Sequence, residues 1–95
     1  MAAMTDGTRS ILLLGRRDHA EAMRVAAGLT IFGHRVRLVM MGAPVADTAE
    51  NAAQYELLEL ADIVPQTTVA GQELELLDAA ALAEAMCEAD VVMSI

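Results

Sequence analysis

Two short and largely apolar runs stand out in the first half of the chain. Residues 11–14 read ILLL and end at Gly15, while residues 36–41 read VRLVMM and end at Gly42. A helical pattern separates the two runs. Strands without regular alternation of polar and apolar residues are buried on both faces, as in a parallel sheet covered by helices. The pattern therefore predicts a strand–helix–strand unit at the start of the fold.

The residues at both ends of this first helix agree with its hydrophobic pattern. Asp18 precedes the helix as an N-cap, and Glu21 follows it at capping-box spacing. Gly33 stands where a helix that ends at Phe32 needs its terminal glycine. The second strand then begins at residue 35.

A second helix is predicted to begin after Asp47 or Thr48 and to end near residue 61. Glutamates occupy its expected outer side. The apolar stripe expected to face the core comprises Ala49, Ala53, Leu57, Leu60 and Ala61.

The last third of the chain predicts a third helix and a closing strand. Residues 63–64 form a short apolar segment that predicts a third strand, and residues 73–77 fit either a short strand or the lead-in to a helix. Asp78 caps the third helix, which ends near residue 89, and residues 91–95 form the last strand. These elements predict a mostly parallel sheet of four or five strands.

Length and composition indicate one domain that associates with other copies. We expect a flexible N-terminal tail over residues 1–9 and a single α/β domain over residues 10–95. Apolar residues make up 56% of the chain and aromatic residues only 2%. A domain of this size buries roughly 60–65% of its unfolded surface. The excess of apolar residues therefore predicts a subunit interface.

The sequence also predicts the compartment. No apolar run reaches the ~18 residues of a membrane span, and the polar N-terminus lacks a signal core. A single cysteine fits a reducing environment. We therefore expect a cytoplasmic protein without membrane association.

Charge is unevenly distributed along the chain. All six basic residues are arginines between Arg9 and Arg37, whereas eleven acidic residues and no basic residue follow from Asp47 onward. The net charge of −8 argues against nucleic acid as a partner. The acidic half either solvates outer helix faces or meets a basic surface on a partner or a neighbouring subunit.

The turn after the first strand is the main candidate site. It lies at the carboxyl end of a parallel strand, where ligands of such sheets gather, and it leads into a helix N-terminus that attracts anions. Its two arginines are donors for carboxylate, phosphate or sulfur oxyanions, and its histidine can exchange a proton near neutral pH. The candidate ligand-binding residues are Gly15, Arg16, Arg17, Asp18, His19 and Gly42.

A purely structural role for the same turn stays open. Arg17 can pair with Glu21, Asp18 can serve only as a cap, and His19 can simply be exposed. The turn contains no Gly-x-Gly-x-x-Gly and no Gly-Lys-Ser/Thr pattern, so we expect no nucleotide and no other cofactor. The two histidines and one cysteine lack metal-ligand spacing, so we expect no metal.

The order of these features resembles the small DsrE-like (YchN-like) proteins of sulfur metabolism. The resemblance rests on residues 11–15, 27–34 and 36–42 and on the closing segments 80–84 and 89–95. It implies a flavodoxin-like parallel sheet with helices on both faces, and homo- or hetero-oligomers such as trimers and hexamers. It also implies sulfur relay in those members that carry a reactive cysteine at the end of a middle strand.

The chain departs from that family pattern at the relay cysteine. The corresponding segment, around residues 61–71, holds no cysteine, and the single thiol belongs to Cys87 in the third helix. Glu84, Glu88 and a position late in a helix disfavour a thiolate there. We therefore expect Cys87 to be a small packing residue.

Three functions remain open. The first is a DsrE-like accessory protein of sulfur trafficking that binds a small anion or a partner at the strand ends and is not itself an enzyme. The second is a sulfur carrier in which Cys87 holds a persulfide. The third is an oligomeric structural or regulatory module that binds another protein through its acidic half.

Overall fold

A computed structural model describes residues 9–95, so the predicted tail lies, apart from Arg9, outside the described residues. The elements in chain order are β1 (Ser10–Gly15), α1 (His19–Ile31), β2 (Arg35–Met40), α2 (Ala49–Leu60), β3 (Gln66–Thr67), β4 (Glu75–Leu76), α3 (Ala79–Glu88) and β5 (Val91–Ser94). All five strands are parallel and form one sheet in the order β4-β3-β2-β1-β5. The predicted flavodoxin-like α/β architecture is therefore confirmed.

Strand β1 lies inside the sheet, between β2 and β5, and is buried on both faces, which explains its uninterrupted apolar sequence. Leu13 packs with residues of α1 and α2 in one core cluster, and Leu12 and Leu14 pack with α3 in the other. Successive side chains of a strand point to opposite faces. The sheet thus separates an α1–α2 layer from a layer that contains α3 alone.

The chain reverses its direction across the sheet between β1 and β5. From β1 it steps to β2, β3 and β4 in turn, and it then returns through α3 to place β5 on the other side of β1. Residues 68–74 connect β3 to β4 without a helix. The carboxyl ends of β1 and β5 therefore flank the point at which ligands of open α/β sheets commonly bind.

The predicted ends of α1 are confirmed. The Asp18 carboxylate accepts a hydrogen bond from the backbone N–H of Glu21 at 3.0 Å. At the other end, Gly33 has φ +93° and donates its N–H to Thr30, while His34 donates to Leu29. This pair of bonds is the Schellman motif, which requires a residue with positive φ.

The buried face of α2 differs from the predicted stripe. Leu58 is 1% exposed and Leu60 is 84% exposed, and Asn51 replaces the predicted alanines on the inner face. Asn51 is accommodated because its side-chain amide donates to the carbonyl of Ala46 at 2.8 Å. The N-cap is Thr48 rather than Asp47.

The third strand also differs from its prediction. It follows Pro65 instead of preceding it, because Ile63 donates its backbone N–H to Leu58 and thereby belongs to the end of α2. The ambiguous segment 73–77 contains β4, and Asp78 caps α3 as predicted. Each helix of residues 9–95 is too short or too polar to cross a bilayer.

Candidate functional site

The β1–α1 loop is anchored to the end of β5. The backbone N–H groups of Arg16 and Arg17 both donate to the carbonyl of Ile95, at 2.7 and 2.9 Å, and the N–H of Ile95 donates to Leu14. These bonds hold the loop in one position across the β1–β5 boundary. They also occupy two N–H groups that a bound anion would otherwise use.

The β2–α2 loop packs directly against the β1–α1 loop. A Cβ on Gly42 would lie 2.9 Å from the carbonyl oxygen of Arg16. The Nε2 atom of His19 lies 3.0 Å from the carbonyl oxygen of Met41. Because a carbonyl only accepts, this nitrogen carries the proton and donates. The structure therefore brings Gly42 and His19 together with the two arginines at one edge of the sheet.

The ion pair at this edge differs from the Arg17–Glu21 pair that a purely structural role of the turn predicts. Glu21 binds Arg24, with Nη2 to Oε2 at 2.6 Å and Nε to Oε1 at 2.8 Å, and not Arg17. The hydrogen bond from Arg24 holds the pKa of the Glu21 carboxyl below its usual value. Within residues 9–95 this is the one ion pair, so the exposed guanidinium groups of Arg16 and Arg17 have no carboxylate partner there.

The N-terminus of α1 supplies further donors beside these arginines. Asp18 caps the N–H of Glu21, and Ala22 donates to the Asp18 carbonyl. The N–H groups of His19 and Ala20 bond to no group in the described part of the chain. Two exposed guanidinium groups and two free amides can bind an oxyanion.

The two principal cavities among the described residues lie away from this loop. The smaller one, of about 190 Å³, opens at the amino ends of β1 and β2. The larger one, of about 610 Å³, is an open groove between α2 and the β3–β4 connection. Neither cavity includes the candidate anion site.

Sequence reasoning missed the larger groove. Its sides come from the loop before α2, from α2 itself and from residues 71–74, and Tyr55 is its one aromatic residue. Burial raises the pKa of the Tyr55 hydroxyl above its ordinary value. The available signal was the seven-residue connection 68–74, which is too short to contain the crossover helix that normally joins parallel strands.

Cys87 is exposed, so its prediction as a packing residue is wrong. The buried residue of α3 is Ala85, whereas Met86 is 44% exposed. Ala85 packs with Leu12, Leu14 and Val39 of the sheet. Within residues 9–95, no three His, Cys, Asp or Glu side chains come together in an arrangement that could hold a metal ion.

Comparisons of the chain with protein-family models, with curated proteins and with solved structures find no match. The resemblance to DsrE-like proteins therefore stays a prediction from the sequence.

Proposed function

We propose that this chain is a DsrE-like accessory protein of cytoplasmic sulfur trafficking that binds a small oxyanion through the β1–α1 loop. It does not itself transfer sulfur in this proposal. One observation carries it: Arg16 and Arg17 are exposed and lack a carboxylate partner within residues 9–95, on a loop that backbone hydrogen bonds hold in place. Free arginines on a fixed loop need little reorganisation to bind an anion.

The position of the loop in the sheet supports the same proposal. It lies where the chain reverses its direction, between β1 and β5, and the free N–H groups of His19 and Ala20 lie at the same helix end. The positive end of the helix dipole adds to the field of the arginines. Sulfate, thiosulfate and phosphate all match this donor set.

Calorimetric titration with thiosulfate, sulfate and phosphate tests the proposal. Thiosulfate should bind saturably, and the double variant Arg16→Gln/Arg17→Gln should weaken binding by roughly tenfold or more. The matched control is Arg35→Gln/Arg37→Gln, which removes the same charge from the opposite part of the sheet. Equal weakening in both double variants would show a general charge effect and would contradict the proposal.

The sulfur-carrier alternative gains support from the exposure of Cys87. An accessible thiolate can attack a polysulfide, keep one sulfur as a persulfide and release the shortened polysulfide as the leaving group. Intact mass after exposure to a polysulfide donor, with Cys87→Ser alongside, tests this alternative. A gain of one sulfur by the wild type alone favours the carrier, and no gain in either protein excludes it.

The proposal includes assembly into a homo-oligomer, such as a trimer or hexamer. Strand β5 is an edge of the sheet, and its Val91 and Val92 are both exposed. Exposed apolar edges pair readily with another chain. Light scattering should therefore report more than one copy, and Val92→Lys should shift the mass toward the monomer. Leu60→Lys, at a more accessible apolar position on α2, should leave the mass unchanged.

A further inference from the structure

The α1–α2 layer stops short of the β4 edge of the sheet. Right-handed crossovers from β1 to β2 and from β2 to β3 place α1 and α2 on one face, and a third crossover in the same direction would place a helix beside α2. Residues 68–74 make this connection without a helix. One helix position on this face is therefore empty.

Strand β4 presents apolar side chains at that empty position. Leu76 pairs in register with Thr67, which pairs with Met40, so Leu76 shares the α1–α2 face of the sheet. It is 55% exposed. Leu74, two residues earlier, packs against the α1–α2 core cluster. The face thus continues as apolar surface beyond its covering helices.

The groove of about 610 Å³ lies between α2 and residues 71–74, which lead into β4. Its apolar wall includes Val45, Leu58, Ile63 and Leu74. The carboxylate residues on its border are Asp47, Glu59 and Glu73, and no basic residue borders it within the described chain. The volume suits several anchoring side chains.

Asn51 offers a further polar contact in the groove. It borders the groove and is 8% exposed, and its Nδ2 donates to the carbonyl of Ala46. No donor within residues 9–95 bonds to its Oδ1. This amide oxygen is accessible to solvent and can accept a hydrogen bond from an incoming N–H group.

We propose that this groove binds an amphipathic helix of a partner protein, with an apolar stripe against the apolar wall of the groove and Lys or Arg on its polar face. The apolar wall and the empty helix position favour a helical ligand, and the acidic border favours basic residues on that ligand. The groove is separate from the β1–α1 loop, so a result on anion binding does not decide whether the groove binds a helix.

Titration with a designed helical peptide tests this proposal. The peptide consists of Leu, Ala, Lys and Arg, with leucines at i, i+3, i+4 and i+7. Tyr55 borders the groove and is the single tyrosine of a chain without tryptophan, so its fluorescence reports occupation of the groove. The control peptides are one with the leucines scattered and one with Glu in place of Lys and Arg.

Two pairs of variants make the test specific. Ala52 borders the groove and Ala53 does not, although both are exposed on α2. Ala52→Leu should weaken binding roughly tenfold by filling the groove, and Ala53→Leu should leave it unchanged. Glu59→Gln/Glu73→Gln should weaken it roughly fivefold, whereas Glu56→Gln/Glu84→Gln, with the same change of charge, should have little effect.

The proposal is supported by saturable binding of one peptide per chain that needs the leucine stripe and responds to the groove variants. It is overturned if the scattered peptide binds equally well, because charge alone then explains the binding. It is also overturned by a failure of all peptides to bind. A self-association that excludes the peptide and that Ala52→Leu abolishes would assign the groove to a second copy and would likewise overturn it.

Discussion

The alpha carbon of Gly42 and the carbonyl oxygen of Arg16 approach so closely that no side chain fits between the two loops. A Cβ at Gly42 would lie 2.9 Å from that oxygen, and Gly42 has φ +86°. Both the space and the backbone conformation therefore require glycine. This contact sets the position of the β2–α2 loop relative to the candidate anion site.

Gly42→Ala should lower the free energy of unfolding more than Gly33→Ala does. Gly33 has φ +93° but open space around its Cβ position, so its variant should cost only about 1–2 kcal/mol of conformational strain. The contact with Arg16 should add at least about 1 kcal/mol at Gly42. Urea unfolding followed by circular dichroism measures both values. Equal losses would show that the two loops are not in close contact.

Substitutions in α2 should separate its buried and exposed leucines. Leu58→Ala should cost about 2–5 kcal/mol because it leaves a cavity in the core. Leu60→Ala should change the free energy of unfolding by no more than about 0.5 kcal/mol. Urea unfolding measures both losses of free energy. A larger loss for Leu60→Ala than for Leu58→Ala would favour the buried stripe predicted from the sequence.

Alkaline pH should destabilise the protein through Tyr55. Burial raises the pKa of Tyr55 in the folded state above the ordinary value of 10.0. As the pH rises past that value, the unfolded chain loses the proton first and binds fewer protons than the folded chain. The free energy of unfolding therefore falls with pH in this window and is unaffected below it.

Tyr55→Phe should remove this part of the decrease in unfolding free energy at alkaline pH. Absorbance of the phenolate measures the titration directly, because Tyr55 is the single tyrosine. The folded protein should ionise at higher pH than the same chain in concentrated urea. Ionisation at the same pH in both states would contradict the burial of Tyr55 in the groove.

Sequence patterns predicted the centre of the sheet because burial on both faces leaves a distinctive signal. Strands β1 and β2 are largely apolar, and Asp18, Gly33 and Asp78 mark helix ends with residues that have specific backbone roles. Because the strands are parallel, their carboxyl ends and the loops that follow them lie at one edge of the sheet. The pattern therefore located the β1–α1 loop, but not the hydrogen bonds that anchor it to Ile95.

The peripheral elements could not be predicted for physical reasons. Strands β3 and β4 each have two residues, which is too short to show a period. In α2, leucines at 57, 58 and 60 allow more than one helix face to be apolar, and the side-chain bond of Asn51 to Ala46 decides between them. The groove depends on an absent crossover helix, which hydrophobic patterning alone does not reveal.

An oxyanion should bind at the N-terminus of α1 beside Arg16 and Arg17. The most direct test of this binding follows the backbone amide resonances of His19 and Ala20 while thiosulfate is added to isotopically labelled protein. Both should shift saturably in the wild type and in Arg35→Gln/Arg37→Gln, and saturation should require roughly tenfold or more thiosulfate in Arg16→Gln/Arg17→Gln. Saturable shifts confined to other residues, or no saturable shift at all, would contradict binding at this site.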